Sequence, residues 1–288
     1  MALLLRLLRV ARLRPSAPIT SLGQATGVST AFDSNVPTIR CQTTAAATTP
    51  LIDQHSVDPR KVTQAERADS FQQVYAELVA QLDHLTQHTR PRRSRLANTI
   101  NFVSTVEAAQ RLPELVAKWR SGQLQIDQTT TNNLVYRCCQ AGAPKIALRL
   151  LSDRITYGLR PSLEYFHRLM RCFGQEAMTH GIKDQNEYQP FQCFKAVDRM
   201  FLTFGLMECY GLKPNTETFS ILVEHCAPLS DKESFRRASV AAAEAMAVSP
   251  PMLSLQALEA LREASDRHGE VSKRNYLDKL IQEASSQL

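Results

Sequence analysis

Four arginines stand within six residues, at Arg90, Arg92, Arg93 and Arg95, and no acid interrupts the chain between Asp83 and Glu107. The chemistry suited to that spacing is phosphate contact. A guanidinium is planar, permanently charged and forked, so it meets phosphate oxygens in pairs and positions a protein on nucleic acid without reading bases. The same segment also reads as a solvated basic linker. A second set, Arg137, Arg149, Arg154, Arg160, Arg168 and Arg171, lies within the repeat-like region, where nine acids also fall from Asp153 to Glu224, and reads equally as paired surface charge. Residues for bond-making chemistry do not gather. The sequence has no Gly-rich phosphate loop, no Cys-x-x-Cys and no His-Glu-x-x-His. His84 and His88 are four apart, as two ligands on one helix face would be, but no third ligand follows at metal spacing. A polar helix face accounts for them. The seven cysteines fall mostly in apolar stripes and read as reduced, buried thiols. The expectation is therefore a non-enzyme with no metal, no cofactor and no small-molecule substrate.

The elements that must carry the arginines are helical. Residues 65–85 place Phe71, Val74, Tyr75, Leu78, Val79 and Leu82 on one face, an amphipathic helix. Residues 94–122 read as a hairpin whose second helix starts at Pro113. Gln128 to Ser162 is the clearest unit. Leu134, Val135, Cys138 and Cys139 line one helix, Ala141-Gly142 closes it, and Pro144 opens a second helix bearing Ile146, Ala147, Leu150 and Leu151. Gly158 and Pro161 end that second helix. The ending Gly158-Leu159-Arg160-Pro161-Ser162 returns as Gly211-Leu212-Lys213-Pro214-Asn215. Between Phe173 and Pro190 lies a polar insertion. Helices are expected over 191–210, from a capping box at Ser230 and Glu233 to Val248, and over 252–267 and 272–286. No alternating strand pattern occurs. A unit of this length points to a solenoid, in which each hairpin buries its apolar face against its neighbours.

At these residues the chain resembles the pentatricopeptide repeat (PPR) family, whose unit is a pair of antiparallel helices with an Ala-Gly turn and a closing Gly-(Ile/Leu)-(Lys/Arg)-Pro. Thr131-Asn132-Asn133-Leu134-Val135 stands at the family's opening motif, with threonine in place of the aromatic residue. Phe166-His167-Arg168-Leu169-Met170 and Phe219-Ser220-Ile221-Leu222-Val223 open a second and a third unit. The resemblance implies an all-α, right-handed solenoid of helical hairpins, irregular, with an insertion at about 174–190 of the second clear repeat. It divides the chain into degenerate N-terminal helices (63–127), repeats (128–162, 163–215 and a partial 216–228) and C-terminal helices (229–288). It also implies base contacts at Asn132 with Ser162, at His167 with Asn215, and at Ser220, which has no clear closing partner.

The N-terminus carries an address. Arg6, Arg9, Arg12 and Arg14 punctuate a leucine-rich start, and the first acid is Asp33. An amphipathic, arginine-bearing, acid-free leader reads as a mitochondrial transit peptide over 1–45, followed by a linker over 46–62, and predicts the matrix. Its apolar runs are too short to span a bilayer. The formal charge is +6, but residues 1–40 hold five arginines and one aspartate, so overall basicity says little about nucleic acid. The resemblance is greatest to the irregular PPR-type proteins of the mitochondrial ribosomal small subunit, which implies ribosomal RNA and ribosomal proteins as partners. A mitochondrial mRNA stability or translation factor, and a protein-binding scaffold or assembly factor for a respiratory complex, stand as alternatives.

Overall fold

Apolar residues recur along this chain at intervals of three and four, and the backbone follows them into helices. The computed structural model describes residues 64–86, 89–181, 190–248 and 252–286. Among these every regular element is helical and no strand occurs, so the fold is all-α. The leader and linker over 1–62, His88, the centre of the insertion and the Ser249-Pro250-Pro251 break lie outside the described residues. No described helix is long and apolar enough to cross a membrane.

Helix α1 (Gln64–Asp83) buries Phe71, Tyr75, Leu78 and Leu82. The region expected as one hairpin holds three helices, α2 (Arg93–Asn101), α3 (Val106–Gln110) and α4 (Leu112–Ser121). The extra break comes from Thr105, whose side chain caps α3 by accepting from Ala108 N. Trp119 of α4 is wholly buried, and its Nε1 donates to the Gln125 carbonyl at 3.3 Å.

Asp127 starts α5 (Gln128–Gln140), its carboxylate accepting from Thr130 N at 2.7 Å. Gly142, with φ 71°, turns the chain out of that helix, and Pro144 opens α6 (Pro144–Ser152). The sequence predicts that α6 runs on to Gly158. It stops instead at Asp153, which accepts from Thr156 N at 3.0 Å and starts a separate short helix, α7 (Arg154–Tyr157). A carboxylate that bonds the backbone two or three residues ahead competes with the helical ladder.

The inserted unit forms α8 (Leu163–Gly181) and α9 (Pro190–Cys209), of 19 and 20 residues, against 13 and 9 for α5 and α6. The insertion thus begins as extra turns of α8. A capping box at Asn215 and Thr218 opens α10 (Thr216–Cys226). The next cap is Asp231, which accepts from Ser234 N at 2.7 Å, and not the expected Ser230. Glu233, expected in that box, bonds Arg236 and Arg237 of its own helix, α11 (Lys232–Met246). Ser254 caps α12 (Leu255–Arg267), and Gly269, at φ 72°, leads into α13 (Val271–Ser286).

Packing joins helices that are not neighbours in sequence. Helix α5 lies against α2 on one side and α8 on the other, and α10 lies against α8 and α12. Helix α6 lies against α9, and Arg237 of α11 is paired to Asp198 of α9 at 2.6 Å. One hydrophobic cluster runs through all of them, from Phe71 to Leu277. Each hairpin by itself would leave an apolar stripe in water, and each fully buried leucine or phenylalanine contributes about 1.5–3 kcal/mol. Among the described residues, packing of the helices against one another hides those stripes. Because α10 pairs with α11, packing crosses the boundary drawn at 228/229.

Of the cysteines, Cys138, Cys193 and Cys226 are buried as expected, Cys139 and Cys172 are half-buried, and Cys209 is exposed. Burial pushes the Cys193 thiol up to about 11.

Candidate nucleic-acid interface

The basic segment enters α2. Arg90, Arg92, Arg93 and Arg95 are all exposed. Arg92 is the residue that precedes the helix, and no side chain caps it there. Tertiary structure changes the charge picture. Arg95 lies 3.5 Å from Glu77 of α1, and Arg93 donates to Gln125 Oε1 at 3.2 Å, close to Asp127. A segment with no acid in sequence therefore has acids beside it in space. The Arg95–Glu77 pair is open to solvent and adds little stability. Among the described residues, the side chains of Arg90 and Arg92 make no hydrogen bond or ion pair.

The residues implied as base contacts are brought together, but largely with each other. Asn132 Oδ1 accepts from Ser162 N at 2.9 Å and from its hydroxyl at 3.4 Å, tying α5 to the start of α8. His167 is 1% exposed. Its Nε2 sits 2.7 Å from Thr218 Oγ1, and its Nδ1 lies 2.9 Å from Glu217 Oε2, near enough for a charge pair but not aligned for a hydrogen bond. Burial holds the imidazole below its ordinary pKa, with Glu217 opposing. Asn215 Oδ1 is occupied by Thr218, accepting from its N at 3.0 Å and its hydroxyl at 2.9 Å. His167 and Asn215 thus meet through Thr218. Ser220 is 5% exposed and its Oγ accepts from Ser254 N at 2.9 Å. Ser254 is the residue that caps α12. The same device recurs, a polar side chain of one opening helix bonded to the start of the next.

An open groove lies beside these junctions, between α2, α5 and α8. Asn101, Asn132, Asn133, Tyr136 and Tyr165 line it. Asn133 Nδ2 donates to Asn101 Oδ1 at 2.8 Å, so neighbouring helices align their amides. The Tyr136 hydroxyl accepts from Gln140 Nε2 at 2.7 Å, and the Arg168 guanidinium stands 4.5 Å over the Tyr136 ring. Arg137 sits 5.7 Å from the same ring, and burial lowers its pKa, assisted by Arg67. Amides that hydrogen-bond base edges, aromatic faces that stack bases and arginines that meet phosphate are what a single strand of nucleic acid needs. Sequence reasoning missed Asn101, Asn133, Tyr136 and Tyr165. The available signal was Tyr136 one turn beyond Asn132.

No three His, Cys, Asp or Glu side chains gather in metal-binding geometry among the described residues. His84 is exposed just past the end of α1. No protein-family model matches the chain, and no curated protein matches it.

Proposed function

We propose that this chain is a non-catalytic, PPR-like repeat protein of the mitochondrial matrix, held to RNA as a structural component of the small mitochondrial ribosomal subunit and supporting mitochondrial translation. The observation that carries the RNA part is the groove of Asn101, Asn132, Asn133, Tyr136 and Tyr165, with Arg168 over the Tyr136 ring. The exposed arginines that lead into α2, one of the helices lining that groove, supply backbone contacts. Single-base reading by His167 or Ser220 is no part of the proposal, because both polar groups are satisfied inside the protein. The mitochondrial and ribosomal parts rest on the leader and on the resemblance of residues 128–228.

Protein neighbours fit the same reading. Phe191 and Leu202 of α9 are 66% and 52% exposed, apolar area that a docked subunit covers. Sedimentation of the tagged full-length protein from mitochondrial lysate, with and without RNase, tests the proposal. Co-migration with the small ribosomal subunit that collapses after RNase is expected. Migration with mRNA-sized particles would favour the translation-factor alternative, and a light RNase-insensitive complex would remove the RNA reading.

A further inference from the structure

A second basic feature shares Gln125 with the arginine segment. Gln125 accepts from Arg93, and it also lines a cleft together with Arg120, Arg154, Gly158 and Arg160. The cleft is formed by the last turn of α4, the connection to α5, and the stretch from α7 to the start of α8. Three of its lining residues are arginine and none is acidic. The nearest carboxylates in sequence, Asp127 and Asp153, each cap a helix, through Thr130 N and Thr156 N.

Each arginine is presented in a particular way. Arg154 donates to the Cys209 carbonyl, and its guanidinium lies 4.7 Å over the Tyr210 ring, so its orientation is fixed from the α9 side. Arg120 packs against Gly158, where an added Cβ would stand 2.7 Å from its Nε. Gly158 has φ 62°, so both its backbone and the absence of its side chain admit the guanidinium. Arg120 Nε is buried with no acceptor. Among the described residues, the side chains of Arg120 and Arg160 make no hydrogen bond or ion pair. A cleft lined by three arginines and no acid, with the Arg154 guanidinium held in place, offers the charge and forked donors that suit a tetrahedral anion.

We propose that this cleft is a phosphate site, taking one backbone phosphate of the RNA and extending the contact track of Arg90 to Arg95 past Gln125. The proposal rests on the RNA reading above, but it names a site that neither the repeat resemblance nor the arginine run supplies. It positions RNA and reads no base.

The test compares full-length wild type, Arg160→Glu, Arg120→Gln and, as a charge-matched change outside the cleft, Lys279→Glu on α13. Binding of a single-stranded RNA oligonucleotide is followed by fluorescence anisotropy across a salt series. Inorganic phosphate is titrated in parallel while the Gly158 amide resonance is observed. Arg160→Glu is expected to weaken RNA about tenfold, uniformly across sequences, and to reduce the log–log salt slope by about 0.7 for one lost single-strand phosphate contact. Arg120→Gln should act in the same direction, and Lys279→Glu should not. Phosphate should move the Gly158 resonance in wild type and not in Arg160→Glu. Wild type that binds RNA while both cleft variants match Lys279→Glu would overturn the site and leave the RNA reading standing. Wild type that binds no RNA, with Gly158 still responding to phosphate, would remove RNA as the source and keep the phosphate site. No response in either arm would overturn both.

Discussion

His167 shows how one side chain can hold two helices, α8 and α10, in register. It is 1% exposed, bonded to Thr218 at 2.7 Å and set 2.9 Å from Glu217, which itself pairs with Arg171 at 2.6 Å. His225 is a second half-buried ring, its Nδ1 2.9 Å from the Ile221 carbonyl. Burial lowers the pKa of both rings. The unfolded chain therefore binds protons on these residues that the folded chain refuses. Stability is fully present above about pH 6.5 and is lost as pH falls through the lower folded values. Carboxylates act in a different window. Hydrogen bonds from Arg236 hold Glu233 at about 2. Arg171 and His167 keep Glu217 low against its burial. Their contributions disappear only below the ordinary carboxylate range. Urea unfolding should show stability falling between about pH 7 and 5, and the double variant His167→Gln/His225→Gln should flatten that stretch. Equal wild-type stability at both ends would refute the assignment.

Helix α8 is among the longest described, at 19 residues. It packs against α10, and the crossing is made close by Gly174. A Cβ at Gly174 would lie 2.2 Å from His225 Cδ2 and 2.7 Å from His225 Cβ, an atom fixed to the α10 backbone. Gly174→Ala therefore sets two effects against each other. Alanine favours an isolated helix by about 1 kcal/mol, whereas forcing a methyl into a packed crossing costs about 1–3 kcal/mol. The crossing should win, and thermal unfolding should show a lower midpoint, by about 2–4 °C per kcal/mol for a unit of this size. A raised midpoint would mean that α8 and α10 separate freely.

The stacked helices place three basic or polar-aromatic features along one chain: the Arg90–Arg95 segment, the groove around Tyr136, and the cleft of Arg120, Arg154 and Arg160. If the protein is held to RNA, affinity is shared among them. Glutamate at Arg90, Arg92, Arg93 and Arg95 should abolish binding and leave the helical circular dichroism unchanged, because all four are exposed. Tyr136→Ala should weaken single-stranded RNA by about 1–3 kcal/mol through lost stacking, with the salt slope preserved. A changed slope without an affinity loss at low salt would show that Tyr136 acts through Arg168 instead.

Helix positions were largely legible in the amino-acid order, because 3.6-residue periodicity, Pro144, Gly142 and Gly158 are local signals that local physics obeys. The break at Asp153 and the cap at Asp231 were harder to read. There a carboxylate competes with the helical ladder or with a neighbouring serine, and the outcome depends on geometry. The arginine run was visible as composition, but Glu77 and Gln125 reach it only through folding. Asn132 with Ser162 could be paired from the repeat ending, whereas Ser220 with Ser254 spans 34 residues without a motif at the far end. The cleft was invisible in the sequence. Arg120, Arg154 and Arg160 come from three different segments, and they converge because α4 packs on α7 and Gly158 lets a guanidinium approach. Periodicity is a property of neighbours in the chain, but a site is a property of neighbours in space.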